Sequence, residues 1–252
     1  PRCHVRLGHL PKNKMLALAV AGHLPKRILR CNPPLCPSCQ FGRQTRKSFY
    51  RKKGGTISGP HKVEKVGDLV HVDQIESSVA GFVGQVRGKL TTARYKVVTV
   101  FVDDFSKYVF VHLQQSTSGE ETLKGKHLFE QYLRARGHTV RGYHGDNGRF
   151  AEALWLKDIE LQKQFQSFSA VSAHHQNGVI ERHFQRLTSS ARTILLHAKR
   201  HWPSMITTVL WPFAYKYAEL LYNHLHVDAV GLSPAEKFCE TPVKLQLNDF
   251  HT

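Results

Sequence analysis

The chain has 252 residues, enough for one sizeable core and a small attached unit. Lys and Arg outnumber Asp and Glu by 36 to 19, a formal net charge of +17, and a balance this basic points to a polyanionic partner, most often nucleic acid. No apolar run approaches the roughly 20 residues of a membrane span, no basic amphipathic helix with a strong apolar face lies near a terminus, and no signal peptide opens the chain, so no membrane partner is expected.

The chain opens Pro1-Arg2-Cys3-His4 without an initiator Met, and a piece of a longer polyprotein is expected. Five cysteines, two of them as Cys36-x-x-Cys39, suit a metal site in a reducing compartment better than a disulfide framework. His4 and His9 precede that pair. Two short-range pairs pre-organise the four tetrahedral N and S ligands that Zn²⁺ takes. Between them Met15, Leu16, Leu18, Ala19 and Val20 give a short helical pattern in Lys12 to Leu24. Such a unit is too small for a core of its own and gains from a metal staple. His23, Cys31 and Cys3 are rival ligands.

Phe41 to Val63 carries Arg43, Arg46, Lys47, Arg51, Lys52, Lys53 and Lys62 and no acidic residue. Gly54-Gly55 and Gly59-Pro60 break it, so it reads as a flexible basic linker suited to phosphate contact.

Leu69 to Ile75 alternates as a strand, with Leu69, His71, Asp73 and Ile75 on one face. Ser77 to Arg94 reads as Gly-rich and irregular. Tyr95–Val102 and Tyr108–Leu113 form a hairpin around Asp103-Asp104-Phe105-Ser106, whose aspartates read as turn residues. A helix follows over roughly 120–136, with Leu123, Leu128, Tyr132 and Leu133 apolar. His138–His144 is a fourth strand, ended by Gly145-Asp146-Asn147-Gly148. A helix over about 151–164, with Glu152, Asp158 and Glu160 as surface charges, leads to a strand near Gln166–Phe168. The long helix then starts after Asn177, a suitable N-cap, with Ile180, Phe184, Leu187, Ala191, Ile194 and Ala198 along one stripe. This order predicts an α/β ribonuclease-H-like mixed sheet flanked by helices, three antiparallel strands extended by two parallel ones, preceded by a small helical zinc-binding domain.

Asp73 on the first strand, Asp146 at the end of the fourth and Glu181 in the first turn of the long helix are expected to converge at one edge. Gathered carboxylates repel unless divalent cations neutralise them, and oxygen ligands suit Mg²⁺. Two such ions can activate an attacking oxygen and stabilise a leaving one on a phosphate.

The sequence resembles integrases of copia-type LTR retrotransposons, relatives of the retroviral integrases. The resemblance rests on His4 to His9 with Leu7-Gly8 between, Cys36-x2-Cys39 followed by Phe41-Gly42-Arg43, Val72-Asp73, Asp103 to Lys107, Gly145-Asp146-Asn147-Gly148, Gln176-Asn177-Gly178-Val179-Ile180-Glu181-Arg182, and Gly231-Leu232-Ser233-Pro234-Ala235-Glu236. It spans nearly the whole chain. The resemblance implies zinc ligands His4, His9, Cys36 and Cys39, one structural Zn²⁺, and a catalytic triad Asp73, Asp146 and Glu181 with two Mg²⁺ or Mn²⁺. It implies strand transfer, in which a 3′-hydroxyl of the element's DNA attacks a target phosphodiester. Two departures touch the active-site loop: Arg149 stands directly before Phe150, and His174-His175 replaces a Pro-containing turn.

The expected divisions are a zinc-binding domain at 1–45, a basic linker at 46–65, a catalytic core at 66–200 and a helical extension at 201–252. In the extension Pro212 suits a helix start, Phe213, Tyr217, Leu220, Leu221 and Leu225 continue an apolar face, Trp211, Tyr215 and Tyr222 suit packing, and Ser233 to Glu236 is a capping box. Asn177, Arg182 and Arg186 are expected to contact DNA near the reacting phosphate, and the basic linker elsewhere. The expected partners are element-end and target DNA and further copies of the chain, with no small-molecule substrate. The expected site of action is a cytoplasmic particle, then the nucleus. Two rival readings are a decayed copy that binds DNA without chemistry and a nuclease of the same fold that cuts without joining.

Overall fold

A computed structural model describes residues 2–32, 35–44, 63–85, 91–169 and 178–242. The expectations for Arg46, Lys47, Arg51, Lys52, Lys53, His174-His175 and Asn177 fall outside them.

Strands β1 (Val70–Phe82), β2 (Arg94–Asp103), β3 (Val109–Gln114), β4 (Gly142–Gly145) and β5 (Phe165–Phe168) form one sheet in the order β3-β2-β1-β4-β5. β1, β2 and β3 are antiparallel, while β4 and β5 add in parallel. The antiparallel turn is pinned by Asp103, which is fully buried and accepts hydrogen bonds from the Gly67 N–H, the Ser106 N–H and the Ser106 hydroxyl. The parallel additions follow the crossover helices α4 (Gly119–Arg134) and α5 (Ala153–Leu161), as parallel pairing requires.

Alternation along the strands sends apolar side chains to both faces. Val70, Val72, Phe101 and Tyr143 pack with Phe129 and Leu133 of α4, Trp155 and Ile159 of α5, and Phe238 of α8 (Pro234–Cys239). On the other face Val98, Val100, Val102, Val109 and Val111 meet α6 (Gly178–His201) and α7 (Trp211–Leu225). Each fully buried side chain of this size contributes roughly 1.5–3 kcal/mol. Ile180, Phe184, Leu187 and Ala191 are the buried stripe of α6, at the spacing read from the sequence. α8 starts with the expected capping box, Ser233 accepting from the Glu236 N–H and Glu236 from the Ser233 N–H.

Several expectations are corrected. β1 runs on to Phe82 instead of ending near Ile75, with a register shift between Glu76 and Gly81. The Trp211 indole donates to the Val79 carbonyl, and a Cβ on Gly81 would meet Pro212 and Trp211, so α7 holds the strand's far half. β4 is only Gly142–Gly145, and α5 stops at Leu161. In α4 Leu128 is exposed and Phe129 is the core residue; in α7 Phe213 and Leu220 are exposed, and the buried face is Trp211, Ala214, Tyr215, Ala218, Leu221, Tyr222 and Leu225. Asp158 is no ordinary surface charge. It pairs at 2.6 Å with Lys126, which is completely buried and also meets Glu130 at 2.8 Å. Tyr143 and Gln164 donate to the same Glu130 carboxylate. Burial pushes the Glu130 carboxyl up, but Lys126 and Gln164 outweigh it and its pKa is lowered. A buried lysine is tolerable only with this full set of partners.

The N-terminal unit, α1 (Arg2–Arg6), α2 (Lys12–Val20) and α3 (Pro37–Gly42), does not stand apart. Leu7, Leu10, Met15, Leu18 and Leu24 form one cluster with Leu221 and Leu225 of α7 and Val227. α3 lies against α6 so closely that a Cβ on Gly42 would come within 2.7 Å of the Thr193 Cα.

Candidate functional site: a His-Cys cluster and a carboxylate edge

The two halves of the His-Cys cluster come from a tight turn and a helix start. Gly8 and His9 both have left-handed backbone, φ 59° and 63°, which folds the chain back so that the His9 ring meets His4. Glycine takes this backbone at position 8 without strain, and a Cβ there would also lie 1.9 Å from Leu221 Cδ1. Cys36 is the N-cap of α3, Pro37 follows in the first turn, and Cys39 sits one turn along.

The ligand atoms of His4, His9, Cys36 and Cys39 all lie within 4.8 Å of one another, the one such group of three or more among the described residues. His4 Nδ1 is engaged by the Leu10 carbonyl at 3.0 Å, which leaves Nε2 facing the centre. His4 Nε2 is 3.2 Å from Cys39 Sγ and 3.3 Å from His9 Nδ1, and His9 Nδ1 is 3.4 Å from Cys36 Sγ. A tetrahedron with Zn–N near 2.0–2.1 Å and Zn–S near 2.3 Å has edges of roughly 3.3–3.8 Å. The donor set and its spacing fit zinc. Burial first, then the charges of His197, His4 and Arg43, depresses His9 to about 3, so the ring is held neutral, the form that ligates. Burial pushes the Cys39 thiol up to about 11, a bias that a central cation reverses. Arg43 donates to the His9 carbonyl and braces the turn. Of the rivals, Cys31 is exposed with its thiol on the Arg27 carbonyl, and neither Cys3 nor His23 joins the group.

The carboxylates are placed by sheet register. His71 of β1 pairs with His144 of β4, and Asp73 and Asp146 each stand two residues further along. Asp73 is paired with Val100 and lies on the face that carries α6 and α7, while Asp146 is the first residue beyond the end of β4. Glu181 is exposed in the first turn of α6, beside buried Ile180. Asp73 Oδ1 accepts from the Gln74 N–H at 2.7 Å. Burial first, then the charges of Asp146 and Glu181, raises the Asp73 carboxyl to about 6 against that hydrogen bond. The three therefore share one electrostatic environment, although they stand farther apart than the His-Cys ligands. Asp146 Oδ1 is buried without a hydrogen-bond partner. An orphaned carboxylate oxygen beside two like charges is the donor set a divalent cation satisfies.

Sequence reasoning assigned no role to His71 and His144. Their rings meet edge to face at 5.3 Å behind the aspartates. His71 Nε2 lies 3.4 Å from Asp104, and His144 Nδ1 is 2.9 Å from the Ser167 hydroxyl. The signal was present in the sequence as a repeat on two strands, His71-Val72-Asp73 and His144-Gly145-Asp146.

The described DNA-contact candidates separate. Arg182 is exposed beside Glu181, with Nε on the Gly178 carbonyl. Arg186 lines a cavity next to the N-terminal unit, and Arg43 braces the His9 turn. Arg149 reaches the Thr117 carbonyl at 2.9 Å and Glu152 at 3.3 Å.

No protein-family model and no curated protein matches the sequence. Solved structures do. A chain of the simian T-cell lymphotropic virus intasome, solved in complex with the PP2A regulatory subunit B56 gamma, aligns over 94% of this chain and 73% of its own, with 16% identity and a TM-score of 0.53. The HTLV-2 integrase catalytic core domain in complex with magnesium aligns over 69% of this chain and 97% of its own, at 18% identity and a TM-score of 0.47. The BIV integrase catalytic core domain aligns over 69% and 95%, at 17% and 0.48. The intasome alignment, together with the sheet order and the preceding His-Cys cluster, establishes the ribonuclease-H-like fold of an integrase core.

Proposed function

We propose that this chain is a retrotransposon integrase, a polynucleotidyl transferase that joins 3′-hydroxyl ends of element DNA to target DNA. The observation that carries the reading is the placement of Asp73 on β1 and of Asp146 directly after the end of its parallel neighbour β4, with Asp146 and Glu181 both acting on the Asp73 carboxyl. Asp73, Asp146 and Glu181 would hold two Mg²⁺ or Mn²⁺ ions, which supply activation of the attacking hydroxyl and charge stabilisation of the leaving oxygen.

The chain's own residues set the geometry. β1 holds Asp73, the end of β4 leads directly into Asp146, and buried Ile180 fixes the helical turn that presents Glu181. Arg182, exposed one residue on, meets DNA phosphate near the reacting group. The basic linker residues Arg46, Lys47, Arg51, Lys52 and Lys53, with Asn177, extend that contact, in keeping with the net charge of +17. His4, His9, Cys36 and Cys39 hold one structural Zn²⁺. Joining two DNA ends to one target needs two active sites, so the DNA-bound form is a homo-oligomer; the similar simian viral chain belongs to an intasome. Activity in a cytoplasmic particle and then the nucleus follows from this function.

The test is a joining assay with the zinc-loaded chain, blunt duplexes carrying the element's termini, a plasmid target and Mg²⁺. We expect covalent joining by the wild type and a loss of at least about 100-fold in Glu181→Gln. Joining that survives the substitution removes Glu181 from the site. Metal-dependent cutting without joining makes the chain a nuclease, and DNA binding without either reaction makes it a decayed integrase.

A further inference from the structure

A cavity of about 430 Å³ lies where the N-terminal unit meets the core, outside the carboxylate edge. Its walls come from Leu7 to Lys14, the middle of α6, the end of α7 and the segment that leads into α8. Five cationic side chains reach it: Lys14, Arg43, Lys107, Arg186 and Lys237. Two are neutralised, Lys107 by Asp104 and Lys237 by Asp228 at 2.5 Å. The other three have no carboxylate within ion-pair distance among the described residues. Lys14 has only the Val227 carbonyl at 2.7 Å, Arg43 the His9 carbonyl, and Arg186 the Tyr222 hydroxyl.

These three cations come from three different segments, so no helix periodicity forces them together. Arg186 is close enough to act on Lys14, and all three act on His226. Lys14 is depressed by burial first and by Arg186 next, outweighing Asp228, and His226 is depressed to about 3 by burial, then by Lys14, Arg186 and Arg43. His226 Nδ1 is buried with no partner, a donor or acceptor in waiting. Like charges converging on one cavity raise the energy of the protein alone, and a compensating anion lowers it.

We propose that this cavity is a phosphate-binding site, with Lys14 and Arg186 as its principal ligands and Arg43 as a third. Guanidinium and ammonium groups together suit a group with several charged oxygens. The volume accommodates a small polyphosphate or one phosphate of a DNA strand that passes over the mouth. The site is separate from the strand-transfer reading: its failure leaves the joining assay untouched, and failure of joining leaves this site standing.

The experiment titrates the zinc-loaded chain with inorganic tripolyphosphate in physiological salt, by calorimetry and by thermal melting. We expect saturable one-to-one binding that raises the Tm. Lys14→Gln and Arg186→Gln each weaken binding at least about tenfold. Lys12→Gln removes the same charge from the same helix but does not line the cavity, and it leaves affinity within about twofold. Lys14→Arg keeps the charge and retains binding, which separates a lost ligand from a misfolded unit. Absence of saturable binding overturns the proposal. So does an equal loss in Lys12→Gln, which would mean a general charge effect, or loss in Lys14→Arg equal to that in Lys14→Gln. A short duplex distinguishes the two sources. Displacement of tripolyphosphate by duplex, with duplex affinity falling in the same cavity variants, assigns the site to DNA; simultaneous binding of both assigns it to a free small anion.

Discussion

His112 shows how burial converts a polar side chain into a pH-dependent contribution to stability. It sits on β3 beneath α4, so near that a Cβ on Gly125 would be 2.6 Å from its ring. Burial depresses it to about 4, against Glu121 which favours the charged form. An unfolded histidine titrates near 6.5, so below that pH the unfolded chain takes up a proton that the folded chain refuses. Stability therefore falls as pH drops from about 6.5 to about 4 and levels off below. Discounted for partial exposure, His112 accounts for about 1 kcal/mol of the loss between pH 7 and pH 5. In His112→Gln that loss, measured by urea denaturation at the two pH values, should shrink by this amount. An unchanged loss would show that the ring is protonated freely in the folded state. His183 and His226 are also depressed by burial, so a residual acid sensitivity persists in the variant. Legibility at this scale depended on whether a residue's role was local. Asp103 reads as a turn residue because Asp-Asp-Phe-Ser is turn chemistry, and it is the acceptor that pins the turn. The burial of Lys126 has no local signal, because only Asp158, 32 residues away, and Glu130 make it tolerable.

Elements were legible where apolar periodicity was strong. The stripe of α6, the β2–β3 hairpin and the capping box of α8 stand where the sequence put them. The second half of β1 was not legible, because Ser77, Ser78, Ala80 and Gly81 carry little β signal. That half is held by the Trp211 indole, 132 positions away, a tertiary contact no local window contains. The same limit hid the docking of α3 on α6. Gly42 permits it, because its missing side chain lets the Thr193 backbone approach. Gly42→Ala places a Cβ 2.7 Å from the Thr193 Cα, and backbone cannot swing aside as a flexible side chain can. We expect the variant to lose about 1–3 kcal/mol. The N-terminal unit should become more sensitive to limited proteolysis while the far-UV signal of the sheet and α4 persists. Wild-type protease resistance in Gly42→Ala would mean that the α3–α6 approach is not needed for docking.

The whole molecule is tied together by two helices that each belong to two cores. α7 contributes Ala214, Tyr215, Ala218 and Tyr222 to the sheet-facing cluster and Leu221 and Leu225 to the N-terminal one. α6 carries Glu181 at its start and Thr193 against α3 near its other end, and Ile194 touches both clusters. A zinc unit joined only by a linker would unfold alone on chelation. This arrangement predicts otherwise, since loss of the unit would leave Leu221 and Leu225 facing water on a helix the sheet depends on. Removal of zinc should therefore lower one shared thermal transition. A metal contribution of even about 5 kcal/mol corresponds to roughly 10–20 °C for a chain of this size. Calorimetry of the zinc-loaded chain, with and without chelator, and of Cys39→Ser, checks it. Two separated transitions, with the upper one unmoved by chelation, would overturn the shared-helix account. A single transition that moves with zinc would mean that zinc occupancy, through α6 and α7, also bears on how firmly α6 presents Glu181, although Glu181 lies 142 residues beyond Cys39 in the sequence.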